Sequence, residues 1–487
     1  MILLLILLIP LFTSLFLLVF RHAATVRNIA LASTILNLVL TLTLAFSAQT
    51  ASFTMSWSNA IGFNFSLGYD GISLLMILLT NLLFPFIILA GFKTEQKRAE
   101  VLYALIMLTQ SALIGVFMAQ NAVLFYIFWE LSLIPLYFIL LLWGGEGRRN
   151  ITLKFFIYTL AGSLLLLFGL IYLYQLTPGA HSTDFSALSQ LNIPGSTQIW
   201  LFWILFVAFA IKMPMFPFHT WQPSTYTMAS TQGVMILAGI MTKMGIYGAL
   251  RFIFPVVPLG VLYWQNTVIV LSLIGVIYAS VIAFRQTNLK RLVAFSSMAH
   301  ISLMVAAMFV LNYYALQGLL FQVISHGVTI VALFYMVYLT EEKTGTLELP
   351  ALGGLKLKAP NMAILLLLVV LGSIALPLTA GFVGEFLMIA GLFQQSAWFA
   401  VAGGLTMILG AVYMLYAYQR VMLGDQNPAF VSITDLGVKD YLVLLPLIAI
   451  ILVLGVFPQP IFNLVEISVS SMQSLLHSGS AYLPVVY

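Results

Sequence analysis

The chain contains no cysteine. Thiolate metal sites and iron–sulfur clusters are therefore excluded. Charge is the second scarcity. Asp, Glu, Lys and Arg make up 7% of the 487 residues, against about 25% in ordinary soluble domains. So few charges do not keep a folded surface wet. The small basic excess, +5 overall, gathers in no aromatic-interleaved patch, which argues against a nucleic-acid partner. Metal-ligand spacing, a glycine-rich phosphate loop, a haem ligand pair and a nucleophile triad are all missing. Gly353-Gly354 stands alone and is no nucleotide fingerprint.

What the chain does have is apolar length. Hydrophobic types reach 62% and mean hydropathy is +1.09. Windows of about 20 residues give about fourteen spans, at roughly 2–20, 28–48, 71–92, 100–118, 121–143, 152–174, 198–218, 232–253, 258–284, 290–311, 313–338, 361–395, 397–419 and 441–463. The run from Ile2 to Phe20 has no positive residues before it, so it reads as a span and not as a leader. Charge placement tests that count independently. Of the 19 Lys and Arg, all but Arg251, Lys212 and Lys243 fall in loops after odd-numbered spans. The basic loops then face the cytoplasm, and both termini lie on the opposite, periplasmic side of what reads as a bacterial inner membrane. The expectation is an all-α polytopic protein, one membrane domain over 1–487. In the first outer loop, Phe53, Met55 and Trp57, then Ile61, Phe63, Phe65 and Leu67, alternate around Asn59-Ala60 and read as a small hairpin.

Two spans are interrupted. Lys212-Met213-Pro214 ends the apolar run of span 7, and Pro377 breaks span 12. A proline inside a helix removes a backbone hydrogen bond. Each break lies in the fourth span of a five-span block, 100–253 or 258–419. The blocks start on opposite sides and so read as inverted repeats, an arrangement that points to a transport site.

Six titratable residues fall near mid-span: Glu130, Lys212, Lys243, His300, His326 and Glu385. Ionisable groups at membrane depth are costly and mark ion or proton pathways. A bland reading exists for each. Glu130 as a packing counter-ion, Lys243 as a snorkelling lysine and the histidines as helix–helix bonders are the alternatives. The functional reading pairs Glu130 with Lys212. A carboxylate beside a lysine favours the charged amine, and drawing it away releases the proton. Glu385 follows the second break, where freed backbone groups need polar company. Alternating acids and bases at one depth imply sideways transfer of protons or cations.

At these residues the chain resembles the antiporter-like subunits of respiratory complex I, NADH:quinone oxidoreductase. The matching stretches are Phe128-Trp129-Glu130, Lys212-Met213-Pro214 through His219-Thr220-Trp221, Gln286 to Leu292 with Ser296 to His300, and Phe382 to Phe386. Such subunits are in turn similar to those of multi-subunit Mrp-type cation/proton antiporters, the alternative reading. The resemblance implies fourteen spans, two inverted five-span repeats and proton pumping driven by redox chemistry elsewhere. NADH, FMN, iron–sulfur clusters and quinone belong on other subunits, with no cofactor or metal in this chain. Partners are neighbouring membrane subunits. Carried over, Glu130 and Lys212 form the input pair, Lys243 with His300 and His326 the central axis, and Glu385 the terminal group. Glutamate instead of lysine at 385, and the early end of the chain, select one branch of the family. The loop after the first break departs from the family, which has Trp-Leu-Pro-Asp-Ala-His and then Ala-Pro. Here it reads Trp221-Gln222-Pro223-Ser224-Thr225-Tyr226, with Ser230 at the later proline. Pro377-Leu378 replaces Pro-Gly at the second break.

Overall fold

The computed structural model describes every residue except 48–50, 59–62, 94–95, 180, 426, 428–429, 431–432 and 481–487. It is a helical bundle. In chain order the elements used below are α1 (Ile2–Leu17), α2 (Ala23–Phe46), β1 (Phe53–Ser58), β2 (Phe63–Leu67), α3 (Gly71–Ala90), α4 (Ala99–Met118), α5 (Ala122–Trp143), α6 (Arg148–Leu176), α7 (Gly195–Lys212) and α8 (Gln222–Met228). There follow α9 (Thr231–Val256), α10 (Pro258–Phe284), α11 (Leu289–Met308), α12 (Tyr313–Thr344), α13 (Pro360–Ser373), α14 (Ala380–Gln395), α15 (Ala397–Met422), α16 (Val438–Val456) and α17 (Gln459–Ser480).

Twelve helices among the described residues are long and apolar enough to cross a membrane. The first and twelfth expected spans fall on shorter elements. These are α1, of 16 residues, and the pair α13 and α14, separated at Ile374 to Thr379. Loop residues before the helices explain several starts. Asp70, Asn121, Asn288 and Asn312 each accept a hydrogen bond from the first turn of the helix that follows. A short polar side chain there satisfies amides that the helix leaves open. At the other end of α12, Gly345 takes φ 70°, a cap that glycine adopts without strain.

Burial sorts the helices into two kinds. The membrane-length windows of α9 and α12 are wholly buried and that of α11 nearly so, whereas only a third of those of α2, α15 and α16 is. The outer helices present isoleucine, phenylalanine and valine outward, including Phe12, Ile157, Phe168, Ile408 and Val453. The inner helices carry the polar residues. In water such a helix would be unusual; in lipid an apolar exterior and a polar interior satisfy both environments.

The outer hairpin is present. Strands β1 and β2 pair antiparallel, with Phe53 opposite Leu67 and Met55 opposite Phe65. The expected turn at Asn59 and Ala60 lies outside the described residues. The hairpin joins the bundle where Gly68 N–H donates to the Met118 carbonyl at 2.8 Å and Gln120 N–H to that of Ser66 at 3.0 Å.

Beside it, Asp70 caps α3 and also pairs with Arg251 of α9 at 2.9 Å. Burial pushes the Asp70 carboxyl up, but the Arg251 guanidinium and the Ser73 hydrogen bonds outweigh it and hold the group below its ordinary value of 3.8. A depressed carboxylate contributes stability that is fully present above the ordinary value and is lost as pH falls through the depressed one. Asparagine still caps, so Asp70→Asn isolates the ion pair. The expected cost at pH 7 is about 1 kcal/mol or less, because the pair is partly exposed. Thermal unfolding in detergent checks this, and the gap to wild type should close as pH drops below about 4.

Candidate functional site

Helix α7 ends at Lys212 because Pro214 has no N–H to continue the ladder. The carbonyls freed at the break find other donors. Met213 N–H makes the last regular helical bond, to Phe209 O at 2.9 Å; beyond it Met215 N–H reaches Ala210 O at 3.0 Å, and the Trp221 indole donates to Ile211 O at 2.9 Å. The chain thus turns back on itself and leaves Lys212 at the tip, 2% exposed. Its amine lies 4.9 Å from the ring centre of Trp129 on α5. Glu130, the next residue, is half-buried and acts on Lys212 through its charge, yet the two make no direct ion pair among the described residues. One Glu130 carboxylate oxygen, Oε1, has no hydrogen-bond partner. The expected input pair is therefore close but unlatched.

The second break is built differently. Ala375 and Leu378 hold φ of 56° and 75°. Both values lie in the left-handed region, which costs a residue with a Cβ. Leu378 O sits where a side chain on Gly455 of α16 would be, 2.3 Å from an ideal Cβ. Close packing of α16 against the break fixes this conformation. After it, α14 runs against α12, and Glu385 is 1% exposed. The contact depends on Gly384: a Cβ there would lie 2.4 Å from Gln322 Oε1.

Four of the six expected residues join into one line. Lys243 Nζ lies 2.9 Å from His326 Nδ1 and also donates to the Ala238 carbonyl. The rings of His326 and His300 stand 5.8 Å apart between centres. His300 Nδ1 lies 2.7 Å from Glu385 Oε1, which also accepts from Gln322 Nε2 at 3.2 Å. The line runs through four helices, α9, α12, α11 and α14, all at 5% exposure or less at these residues. A cavity lined by Ser296, His300, Gln322, Ser325, His326 and Thr329 opens along it. His326 Nε2, Glu385 Oε2 and the Ser325 and Thr329 hydroxyls are buried without partners.

Local backbone sets the first link. Residues Leu237–Met241 of α9 form a π-helical turn. Such a turn inserts an extra residue and loosens the regular ladder, which leaves the Ala238 carbonyl for the lysine amine five residues on. An ammonium group only donates. When Lys243 is charged, His326 Nδ1 must accept and its own proton sits on Nε2, the atom without a partner. When the amine is neutral it accepts instead. The geometry thus holds a proton on either side of a 2.9 Å contact. Similarly, the 2.7 Å contact of His300 with Glu385 needs one shared proton.

No hydrogen bond joins Lys212 to Lys243 among the described residues. Sequence reasoning grouped the six by depth; the fold links four and sets the Glu130 and Lys212 pair apart. It missed Gln322, although the residue lies four before His326 on α12 and so shares its face. It did not foresee the ion pair between Asp70 and Arg251. Among the described residues no group of three or more His, Asp and Glu could hold a metal ion.

A family profile described as NADH:quinone oxidoreductase/Mrp antiporter, TM, matches residues 119–410. The chain belongs to that family. It is 37% identical over 478 residues to NADH-quinone oxidoreductase subunit M of Rickettsia typhi, covering 95% of this chain and 97% of that one. It is 34% identical over 475 residues to NADH-ubiquinone oxidoreductase chain 4 of Marchantia polymorpha, covering 96% and 95%. A chain of respiratory complex I from Thermus thermophilus, solved with bound NADH, superposes with a TM-score of 0.89 at 27% identity, covering 98% of this chain and all of that one. These likenesses agree with the branch that Glu385 selects. The matched segment 119–410 contains all six mid-span residues and both helix breaks.

Proposed function

We propose that the chain is a proton-translocating membrane-arm subunit of NADH:quinone oxidoreductase, of the subunit M or chain 4 type. The observation that carries this reading is the buried line Lys243, His326, His300 and Glu385, with contacts of 2.9 and 2.7 Å at its ends. Such a line moves protons parallel to the membrane plane. It does no redox chemistry itself, so the driving reaction belongs to other subunits that hold NADH, FMN, iron–sulfur clusters and quinone.

The roles follow from the contacts. Glu130 and Lys212 form the input pair, and their lack of a direct bond suits a pair that opens and closes. Approach of Glu130 favours the charged lysine, and withdrawal releases its proton. Lys243 passes a proton to His326 across one hydrogen bond. His326 faces His300 across a gap that one rotamer change or one bridging water closes. His300 and Glu385 share a proton already and form the terminal group. The two breaks occupy the fourth spans of 100–253 and 258–419, which supports reading these blocks as inverted repeats with one half-site each. The basic loops favour a bacterial inner membrane, with both termini on the periplasmic side.

The family description also covers Mrp antiporters, which supports a second reading as a subunit of a cation/proton antiporter. Inverted vesicles from cells with and without the gene separate the two. NADH-driven proton uptake should fall on deletion and return with the gene, at any sodium concentration. Uptake that is unchanged by deletion, with loss of sodium-dependent proton exchange instead, would favour the antiporter.

A further inference from the structure

One cation stands apart from the rest. Apart from the mid-span Lys212 and Lys243, Arg251 alone among the Lys and Arg falls outside the basic loops, on the face opposite them. Membrane chains orient so that lysine and arginine stay off that face, and a cation built in there calls for a reason. It is held from several sides. Nη1 donates to Asp70 Oδ2 at 2.9 Å, Nη2 to Ser73 Oγ at 2.8 Å and Nε to the Tyr247 hydroxyl at 3.4 Å. The guanidinium carbon also lies 5.6 Å from the ring centre of Tyr247 and 5.9 Å from that of Phe185, in the loop before α7.

A cavity of about 270 Å³ opens beside it, between α3, α9 and the C-terminal helix α17. Ser468 and Ser471 of α17 line one side, and Asp70, Tyr247 and Arg251 line the other. Lys243 is not part of the lining. At about 1.5 Å per helical residue, Lys243 lies roughly 12 Å deeper along α9 than Arg251. Tyr247, one turn from Lys243, is fully buried, with the rings of Phe117 and Phe125 at 5.1 and 6.4 Å. Its hydroxyl donates to the Phe117 carbonyl at 3.0 Å. With that one hydrogen committed, it accepts from Ser73 Oγ at 3.0 Å. The polar contacts that lead in from the cavity therefore end at a backbone carbonyl and not at the lysine.

We propose that Arg251 is an electrostatic plug that seals Lys243 from this face and obliges protons to leave along the line to Glu385. The proposal rests on the relay reading above. A pump works against a proton excess on the side it fills, and a cavity ending near a lysine offers that excess a way back. A guanidinium across the way repels hydronium. It effectively never loses its own proton, so it hands none on. Asp70 is the more exposed member of the pair, at 37% against 21%, so the positive charge is the one that faces the interior. Beneath it, the rings of Tyr247, Phe117 and Phe125 add an apolar layer. Direction then follows from the two sides of Lys243, open toward His326 and closed toward the cavity.

The test uses the intact complex in proteoliposomes oriented so that pumped protons fill the lumen. Wild type, Lys243→Ala, Asp70→Asn and the double variant Asp70→Asn/Arg251→Gln are compared at equal assembled amounts, together with the double variant carrying Lys243→Ala. The amide pair removes both charges together, so neither is left unpaired. The readout is the decay of an imposed acid lumen with NADH absent. Wild type and Asp70→Asn should hold the gradient. The double variant should lose it several-fold faster, and should still oxidise NADH while retaining fewer protons per NADH. Adding Lys243→Ala should restore tightness, because the leak runs through the lysine. A tight double variant would overturn the plug. So would an Asp70→Asn variant as leaky as the double one, since the seal would then lie in the pairing and not in the arginine charge. A leak that survives Lys243→Ala would reveal a route that bypasses the lysine and would also overturn it. Full pumping by Lys243→Ala alone would instead overturn the relay on which the proposal rests.

Discussion

Replacing Lys243 with alanine is expected to stop proton transfer through this subunit while the complex still assembles. Lys243 is completely buried and contacts both the Ala238 carbonyl and His326. Without it His326 Nδ1 loses its partner, and leaving one buried polar atom unpaired costs about 1–3 kcal/mol. That loss is tolerable in a bundle held by long apolar helices. The functional loss is larger. A positioned acid–base group contributes about 10²–10⁴-fold to a proton-transfer step. Throughput should therefore fall to background in a vesicle assay of NADH-driven proton uptake. Arginine supplies the critical control. It keeps the charge and its bond to a carbonyl, but guanidinium effectively never gives up its proton. Lys243→Arg should assemble and stay inactive; a fully active arginine variant would mean that the charge alone matters and that no proton leaves this site.

The second large effect is expected at Lys212. The amine stands over Trp129 and feels Glu130 without bonding to it. A pair built for stability would be latched, because a half-buried carboxylate oxygen left unpaired is unfavourable. Glu130 Oε1 is left that way. The open arrangement suits a switch. Lys212→Ala should assemble but pump poorly, and so should Glu130→Gln. Because the two act as one unit, the double variant should be no worse than either single one. Additive losses in the vesicle assay would show that the residues work separately and would remove the input-pair assignment. Full pumping by Lys212→Ala would do the same.

Apolar run length, the Lys and Arg placement and the prolines at 214 and 377 were enough to define a polytopic helical protein with two interrupted spans. The reason is that lipid imposes simple rules: a minimum length, satisfied backbone and rare charges. Those rules also made Glu130, Lys212, Lys243, His300, His326 and Glu385 conspicuous, since each is an exception. Depth along a helix is nearly linear in sequence, so grouping them by depth needed no coordinates.

Which of the six touch was a different matter. Partner choice depends on how each helix is rotated and how closely its neighbours approach, and neither is local. Gly384 lets α14 come close enough to α12 for Gln322 to reach Glu385. A π-helical turn in α9 presents Ala238 to Lys243, and its sequence, Leu-Ala-Gly-Ile-Met, carries no mark of it. Arg251 looked like a stray charge at a span end until packing set it against Asp70. Tyr226 shows the contrast plainly. In the sequence it registers as a departure in a loop; in the bundle it is fully buried and packs edge-on against Phe334 of α12. The membrane's chemistry dictated the spans and their exceptions, while the packing of α9, α11, α12 and α14 decided which exceptions touch.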